Sequence, residues 1–326
     1  MTGSPAARRA CHALLLGVVL AAEGASCGAR SVGAQAPAVL PKSELAVWTD
    51  AGAWAVLWRS DSAPSRYSSA RRFPVREVPG RIAPGVVVGR YRLRGSGEAW
   101  RTELVVVSLS PDSLRLTLDT AFVRGRRAWT LDRVPPTAFV AVNAGQFVAD
   151  LPWGWVVLDG RQFLPPATGP LVSTVTIDAS GRVSLTHGGR VPSAGDVRWA
   201  FQSYPTLLDS GMVPVPLRGG GGGVDLAHRD ARLALGRRPD GTVVIAMTRF
   251  GALGERLGSL PFGLTTAEMA AVMGLLGAQD AVLLDGGISA QLQFRGSDGV
   301  PWRFPGLRSI PLALLASPTE SETVRK

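Results

Sequence analysis

TTAEMAAVMGLLGAQDAVLLDGGISA, residues 265–290, is the stretch that decides how this chain folds. Thr265 can cap a helix, and Glu268 three residues later completes a capping box. Met269, Val272, Met273 and Leu276 recur at helical spacing and give one apolar face. Gly277 suits the helix stop. The apolar run Ala281-Val282-Leu283-Leu284 reads as a buried strand, and it ends on the turn Asp285-Gly286-Gly287-Ile288-Ser289-Ala290. Glycines permit backbone angles that other residues resist. Such a turn holds a carboxylate beside a backbone that a ligand can approach closely. A Gly-rich hairpin turn has the same composition, so the turn alone does not decide between site and scaffold.

Outward from this stretch the pattern is largely β. Ala53 to Trp58, Val86-Val87-Val88, Leu104 to Val107 and Leu114 to Leu118 read as short strands separated by Gly, Ser, Pro and Asp. Ala138 to Val142 is a continuous apolar run, as for a strand buried on both faces. Gly154 to Leu158, Val172 to Ile177, Val197 to Gln202, Leu233 to Leu235 and Thr242 to Met247 continue the series. Gly219 to Gly223 forms a flexible five-glycine loop. The expected fold class is α+β, a mixed, largely β-sheet domain with a few packed helices.

Composition sets the frame. The chain has 326 residues, 46% hydrophobic and 18% charged, which is ordinary globular usage. Arg8-Arg9 precede an apolar stretch and then small residues, so residues 1–34 read as a secretory signal peptide. The stretch is shorter than the roughly 20 residues of a spanning helix. Cys27 is an alternative site of lipid attachment, without the usual Leu three residues before it. Residues 35–83 are expected to lay strands and loops onto the main domain, 84–316 to form it, and 317–326 to be a disordered tail. Both cysteines, Cys11 and Cys27, fall in the leader. A Cys nucleophile and Cys-ligated zinc are therefore excluded from the mature chain. His187 and His228 are its only histidines, which argues against a zinc site or a Ser-His-Asp triad. The formal charge is +10. With export, this favours anionic envelope polymers or phosphate-bearing glycans over nucleic acid.

Several apolar strands end in polar residues of functional type. Ala138 to Val142 leads to Asn143-Ala144-Gly145-Gln146-Phe147, Val197 to Phe201 leads to Gln202-Ser203-Tyr204-Pro205, and Ala281 to Leu284 leads to Asp285. Arg232 opens the strand around Leu235, with Asp230 two residues earlier. One sheet can bring Asn143, Ser203, Arg232 and Asp285 to a common cleft. An Arg fork binds phosphate oxygens at two points. Asn and Ser supply neutral hydrogen bonds, and backbone N–H groups of Gly145, Gly286 and Gly287 can cradle an anion. A carboxylate serves as acid, base or nucleophile in glycosidic cleavage. Each residue also has a plain reading: Asn143 and Ser203 as turn residues, Arg232 as an exposed strand residue, Asp285 as a loop cap, His228 as a surface histidine. Asp150, Asp159, Asp209 and Asp225 are candidate second carboxylates, and none is singled out.

In this order the motifs resemble the phosphodiester glycosidase family. Its pattern runs as a strand ending in Asn-Gly-Gly-x-Phe, a Ser-Gly-Pro turn, an Arg-Thr-Ala-Ile-Gly strand, a helix, and Leu-Asp-Gly-Gly-Gly-Ser. The counterparts here are Asn143 to Phe147, Ser203-Tyr204-Pro205, Arg232 to Gly236, and Leu284 to Ser289, within about Pro84 to Pro311. The resemblance implies hydrolysis between a sugar's anomeric carbon and a phosphodiester oxygen. It carries Asn143, Ser203, Arg232, Asp285 and Ser289 over as site residues. Tyr204, Leu233, Ile288 and Ala290 depart from the pattern. Met247-Thr248-Arg249 stands where many members have Asp-Gly-Arg, so Arg249 is retained and one carboxylate is lost.

The expected function is an exported hydrolase of sugar-1-phosphodiesters such as N-acetylglucosamine-1-phosphate diesters. Its expected catalytic residues are Asp285 as acid, base or nucleophile, Arg232 holding the phosphodiester and Asn143 orienting sugar or phosphate, while Ser203, Ser289, Arg249 and the glycines Gly145, Gly286 and Gly287 bind substrate. No cofactor is demanded; calcium or magnesium between Asp285 and phosphate is an option. The rival reading is a non-catalytic binder of phosphorylated envelope glycans. A glycosidase of neutral sugars, with Trp153 and Trp155 as a platform, would need a carboxylate pair that the sequence does not display.

Overall fold

The computed structural model describes residues 42–70, 73, 83–123, 128–192, 197–219, 223–251, 258, 260, 262–296 and 298–319. The expected leader with Cys27, the middle of the five-glycine loop and the last seven residues of the tail lie outside them. The chain opens with β1 (Glu44–Trp48), β2 (Trp54–Arg59), β3 (Val86–Gly95), β4 (Thr102–Leu109) and β5 (Leu114–Thr120). There follow β6 (Val140–Asn143), β7 (Phe147–Val148), β8 (Leu151–Pro152), β9 (Val156–Leu158) and β10 (Arg161–Leu164). Next come β11 (Ser173–Ile177), β12 (Val183–His187), β13 (Trp199–Ser203), β14 (Thr206–Leu208) and helix α1 (Val215–Gly219). β15 (Leu233–Arg237) and β16 (Val243–Phe250) precede helix α2 (Thr266–Leu275), and β17 (Asp280–Leu283), β18 (Leu292–Arg295), β19 (Pro301–Phe304) and β20 (Leu312–Pro318) finish the chain.

Strand alternation builds the layers. Eight strands join in the order β14-β17-β15-β16-β4-β3-β1-β2. Two five-stranded sheets run β10-β9-β13-β11-β12 and β19-β18-β6-β20-β5, and all ladders between described strands are antiparallel. Successive side chains of a strand point to opposite faces. Val105 and Val107, Val243 and Ile245, and Val282 therefore enter one core, shared with Val142, Val175, Phe201 and Leu314 of the smaller sheets. Leu104, Val106, Val244, Ala246 and Leu283 enter the other, which α2 covers. The middle of the large sheet is thus buried on both faces, and the fold is α+β with a dominant sheet. β1 and β2 extend that same sheet beyond β3.

The helix forms where the sequence places it. Thr265 is its N-cap, with Glu268 N–H donating to Thr265 Oγ1 at 3.2 Å and Thr265 N–H to Glu268 Oε2 at 2.9 Å. Gly277 follows it at φ +82°. The expectation of a single apolar face is corrected: residues from Glu268 to Gly274 are buried all round, because Tyr67 and α1 lie against the helix as well as the sheet. The expected start of the tail is corrected too. Ser317 and Pro318 pair with Arg115 and Leu114, so β20 runs past residue 316 and holds them in a sheet.

Candidate functional site

β17 and β15 are hydrogen-bonded neighbours, with Ala234 opposite Leu283. The pairing sets the end of one strand, Leu284-Asp285, beside the start of the other, Asp230-Ala231-Arg232. Leu284 N–H donates to Leu233 O at 2.8 Å, and Gly287 N–H to Ala231 O at 2.7 Å. A pocket of about 440 Å³ opens there, lined by Asp285, Asp230, Arg232, His228, Tyr204 and Trp153 among others. Its size is that of a small-ligand site.

Asn143 shapes this turn. Its Nδ2 donates to Asp285 O at 2.7 Å, and its Oδ1 accepts from Gln291 N–H at 3.0 Å. The side chain is 1% exposed and holds both ends of the Asp285 turn. Ser203 is equally buried, and its hydroxyl donates to Leu283 O, tying β13 to β17. Neither residue lines the pocket. Gly145 O accepts from Asp285 N–H at 3.0 Å, and Gly145 has φ +70°. A β-carbon on Gly286 would collide with Ala231 O, and one on Gly287 (φ +56°) would lie 3.0 Å from Asp230 Oδ2. The glycines thus let two chain segments and a carboxylate meet. The N–H of Gly287, already directed at Ala231 O, is not left for an anion.

Three carboxyls line the pocket, those of Asp225, Asp230 and Asp285, and the last two are raised. Burial pushes the Asp285 carboxyl above its ordinary value, a hydrogen bond from Ser289 and the charge of Arg308 oppose this, and Asp230 adds to the rise. Burial also raises Asp230, against Arg232, the Ala231 N–H and His228. The Ala231 N–H donates to Asp230 Oδ1 at 2.8 Å, and His228 Nε2 lies 3.7 Å from Asp230 Oδ2. Arg232 is braced by main-chain carbonyls: Nε donates to Leu264 O at 2.9 Å and Nη2 to His228 O at 2.7 Å. Its Nη1 makes no hydrogen bond with a described residue. Burial lowers this guanidinium from its ordinary value, with Asp230 the first of the charges that hold it up. The group can therefore offer two protonatable carboxyls and a fixed cation to one ligand.

The structure brings Asp285, Ser289, Arg232 and Gly286 together. Arg249 is elsewhere: 3% exposed on β16, it lies 4.7 Å over the Phe304 ring and lines a different cavity. Thr248, in the departing Met247-Thr248 pair, accepts from Arg232 N–H at 2.7 Å. Of the four candidate second acids, only Asp225 lines the pocket, and its Oδ1 accepts from the Ala227 and His228 N–H groups. Asp230 is not among those four; its signal in the sequence is its place two residues before Arg232. Trp153 lines the pocket edge-on to Tyr204, with ring centroids 6.4 Å apart. Trp155 is buried and bonds Gln162 instead. Away from this pocket, His187, Asp209 and Asp280 bring ligand atoms within 4.8 Å of one another, at the opposite end of β17 from Asp285.

Carboxyls and one braced guanidinium thus meet in a pocket at neighbouring strand ends. The phosphodiester glycosidase family profile matches residues 136–316, and the chain belongs to that family. No curated protein matches it. Among solved structures it is similar to the catalytic domain of zebrafish N-acetylglucosamine-1-phosphodiester alpha-N-acetylglucosaminidase, at 14% identity and TM-score 0.52, over 78% of this chain and 91% of that one. It is also similar to a candidate exported protein of Burkholderia pseudomallei, at 17% identity and TM-score 0.50, over 70% and 77% of the two chains. These likenesses establish the fold. No helix among the described residues is long and apolar enough to cross a membrane.

Proposed function

We propose that the protein is an exported hydrolase that cleaves the glycosidic bond of sugar-1-phosphodiesters. The observation that carries this reading is the meeting of Asp285, Asp230 and Arg232 in one pocket. The Nη1 edge of Arg232 receives the phosphodiester. A phosphate monoester is a good leaving group, so the barrier lies mainly in bringing an oxygen nucleophile to the anomeric carbon. One carboxylate of the pair serves as nucleophile, or as base for water, and the other, which burial makes the weaker acid, serves as proton donor. Trp153 and Tyr204 offer an aromatic wall to the sugar. The rival reading, a non-catalytic binder, rests on the loss of a second acid at Met247. Asp230 supplies one from another strand end.

The test is hydrolysis of an N-acetylglucosamine-1-phosphodiester in heavy-oxygen water, with and without calcium. Label in the released sugar, lost in Asp285→Asn and in Asp230→Asn, supports the proposal. Label in the phosphate means attack at phosphorus and overturns it. Saturable binding without turnover leaves the binder reading standing.

A further inference from the structure

A second cavity, of about 950 Å³, shares no described lining residue with the Asp285 pocket. Its wall is a continuation of a core-facing sheet surface. On β3, Val86 and Val88 point into the core between the sheets, and the same face continues as Arg90, Arg92 and Arg94. Glu103 on β4 stands opposite Arg92 of β3 on one side and Arg249 of β16 on the other. Trp48 and Trp54 come from β1 and β2, and Trp100 and Arg101 from the turn before β4. Among the described lining residues, five arginines therefore face two acids, Asp50 and Glu103.

The arginines fall into two sets. Arg90 and Arg249 both reach Glu103. Arg92, Arg94 and Arg101 have no carboxylate or hydrogen-bond partner for their guanidinium groups among the described residues. Each instead stacks on an indole: Arg92 lies 5.0 Å over Trp48, Arg94 4.8 Å over Trp54 and Arg101 5.1 Å over Trp100. Trp48 and Trp54 brace each other edge to face at 5.3 Å. A stacked guanidinium keeps its N–H edge for in-plane acceptors and loses less entropy on binding one. Like charges gathered on one sheet face repel, so scaffold needs alone do not explain them.

We propose that this groove binds a linear polymer whose repeats are joined by phosphodiesters. Guanidinium forks match phosphate oxygens in two-point contacts. Strand rise places Arg92 and Arg94 about 7 Å apart, so each addresses a separate anionic group along a chain. The arginines line a cavity, which suits a chain better than a flat bilayer. The choice of phosphodiester as the anion rests on the proposed function; the anion-binding character rests on the groove alone.

The experiment measures binding of a glycerol phosphate oligomer to the full chain by calorimetry at low and physiological salt. Arg92→Gln with Arg94→Gln should weaken binding roughly tenfold or more, as expected for lost charge-assisted hydrogen bonds. Arg161→Gln with Arg182→Gln removes the same charge elsewhere on the surface and should change it by no more than about twofold. Trp54→Leu keeps every charge and should still weaken binding several-fold. Equal losses in the two double variants would reduce the effect to bulk charge and overturn the site. So would tighter binding to phosphatidylglycerol vesicles than to the oligomer, or no saturable binding at all. Turnover of the small sugar phosphodiester should be unchanged in the Arg92/Arg94 variant. Failure of turnover with oligomer binding intact would sink the reaction and leave the groove; the reverse would sink the groove alone.

Discussion

Asp230 and Asp285 are both half-buried, and burial is the first cause that lifts each carboxyl above its ordinary range. A side chain at position 287 would press on the Asp230 carboxylate, so glycine there keeps the two strand ends together. Removing a partly desolvated charge relieves the fold while it removes the chemistry. Asp285→Asn is expected to lower turnover by about 100- to 10,000-fold and to raise Tm by roughly 3 °C at neutral pH. Calorimetry beside steady-state kinetics checks both; a lower Tm would mean that the carboxylate stabilises the turn it sits in. Asp285 and Arg232 are legible in the sequence because polar residues at strand ends are visible in one dimension. The inward turn of Asn143 and Ser203, which bond Asp285 O and Leu283 O, is not. It depends on which face of its strand each occupies, and on partners more than seventy residues away in the chain.

At the scale of elements, α2 and β17 are legible as a pair because local rules agree there: cap, capping box, apolar run, glycine stop. β12, β18 and β19 are not, since short strands of mixed polarity, with residues such as Gln293 and Arg303 on β18 and β19, have no clear period. Their identity comes from pairing across the chain. The helix start also anchors the chain's first described segment. Glu268 is fully buried, bonded to Thr265 N–H, to the Ser43 hydroxyl and to both terminal nitrogens of Arg229 at 2.7 and 2.9 Å. Glu268→Ala would strand Arg229, itself mostly buried, and remove the tie to the segment before β1. The expected loss is about 3–5 kcal/mol, the cost of breaking a buried pair from one side. Urea unfolding measures it, and a loss below about 1 kcal/mol would show that water replaces the carboxylate.

At the scale of the whole molecule, the shifted aspartates among the described residues divide into two groups with opposite pH dependence. Asp230 and Asp285 have raised folded values, set first by burial. Such groups favour the folded state while protonated, so stability falls as pH rises from the unfolded value of about 3.9 through the raised folded values. Asp178 and Asp280 are lowered: burial opposes the shift, but Ser180 and the Arg182 N–H at Asp178, and His187 and the Ser210 N–H at Asp280, outweigh it. Asp240 is lowered first by the Thr242 N–H. Their stabilisation is present above the unfolded value and is lost as pH falls through the folded ones. Net positive charge adds a repulsion that grows in acid, so the informative quantity is the difference between wild type and the Asp230→Asn/Asp285→Asn double variant. The variant should gain over wild type as pH rises above about 4, as expected from an unfolded carboxyl value near 3.9, and the gain should level off once both acids are ionised in the folded wild type. Below that value the two curves should fall together, because Asp178, Asp240 and Asp280 are present in both. Tm measured across this range decides the matter: parallel curves at every pH would mean that the two site carboxyls have ordinary affinities for protons, and the acid role proposed for one of them would go with that result.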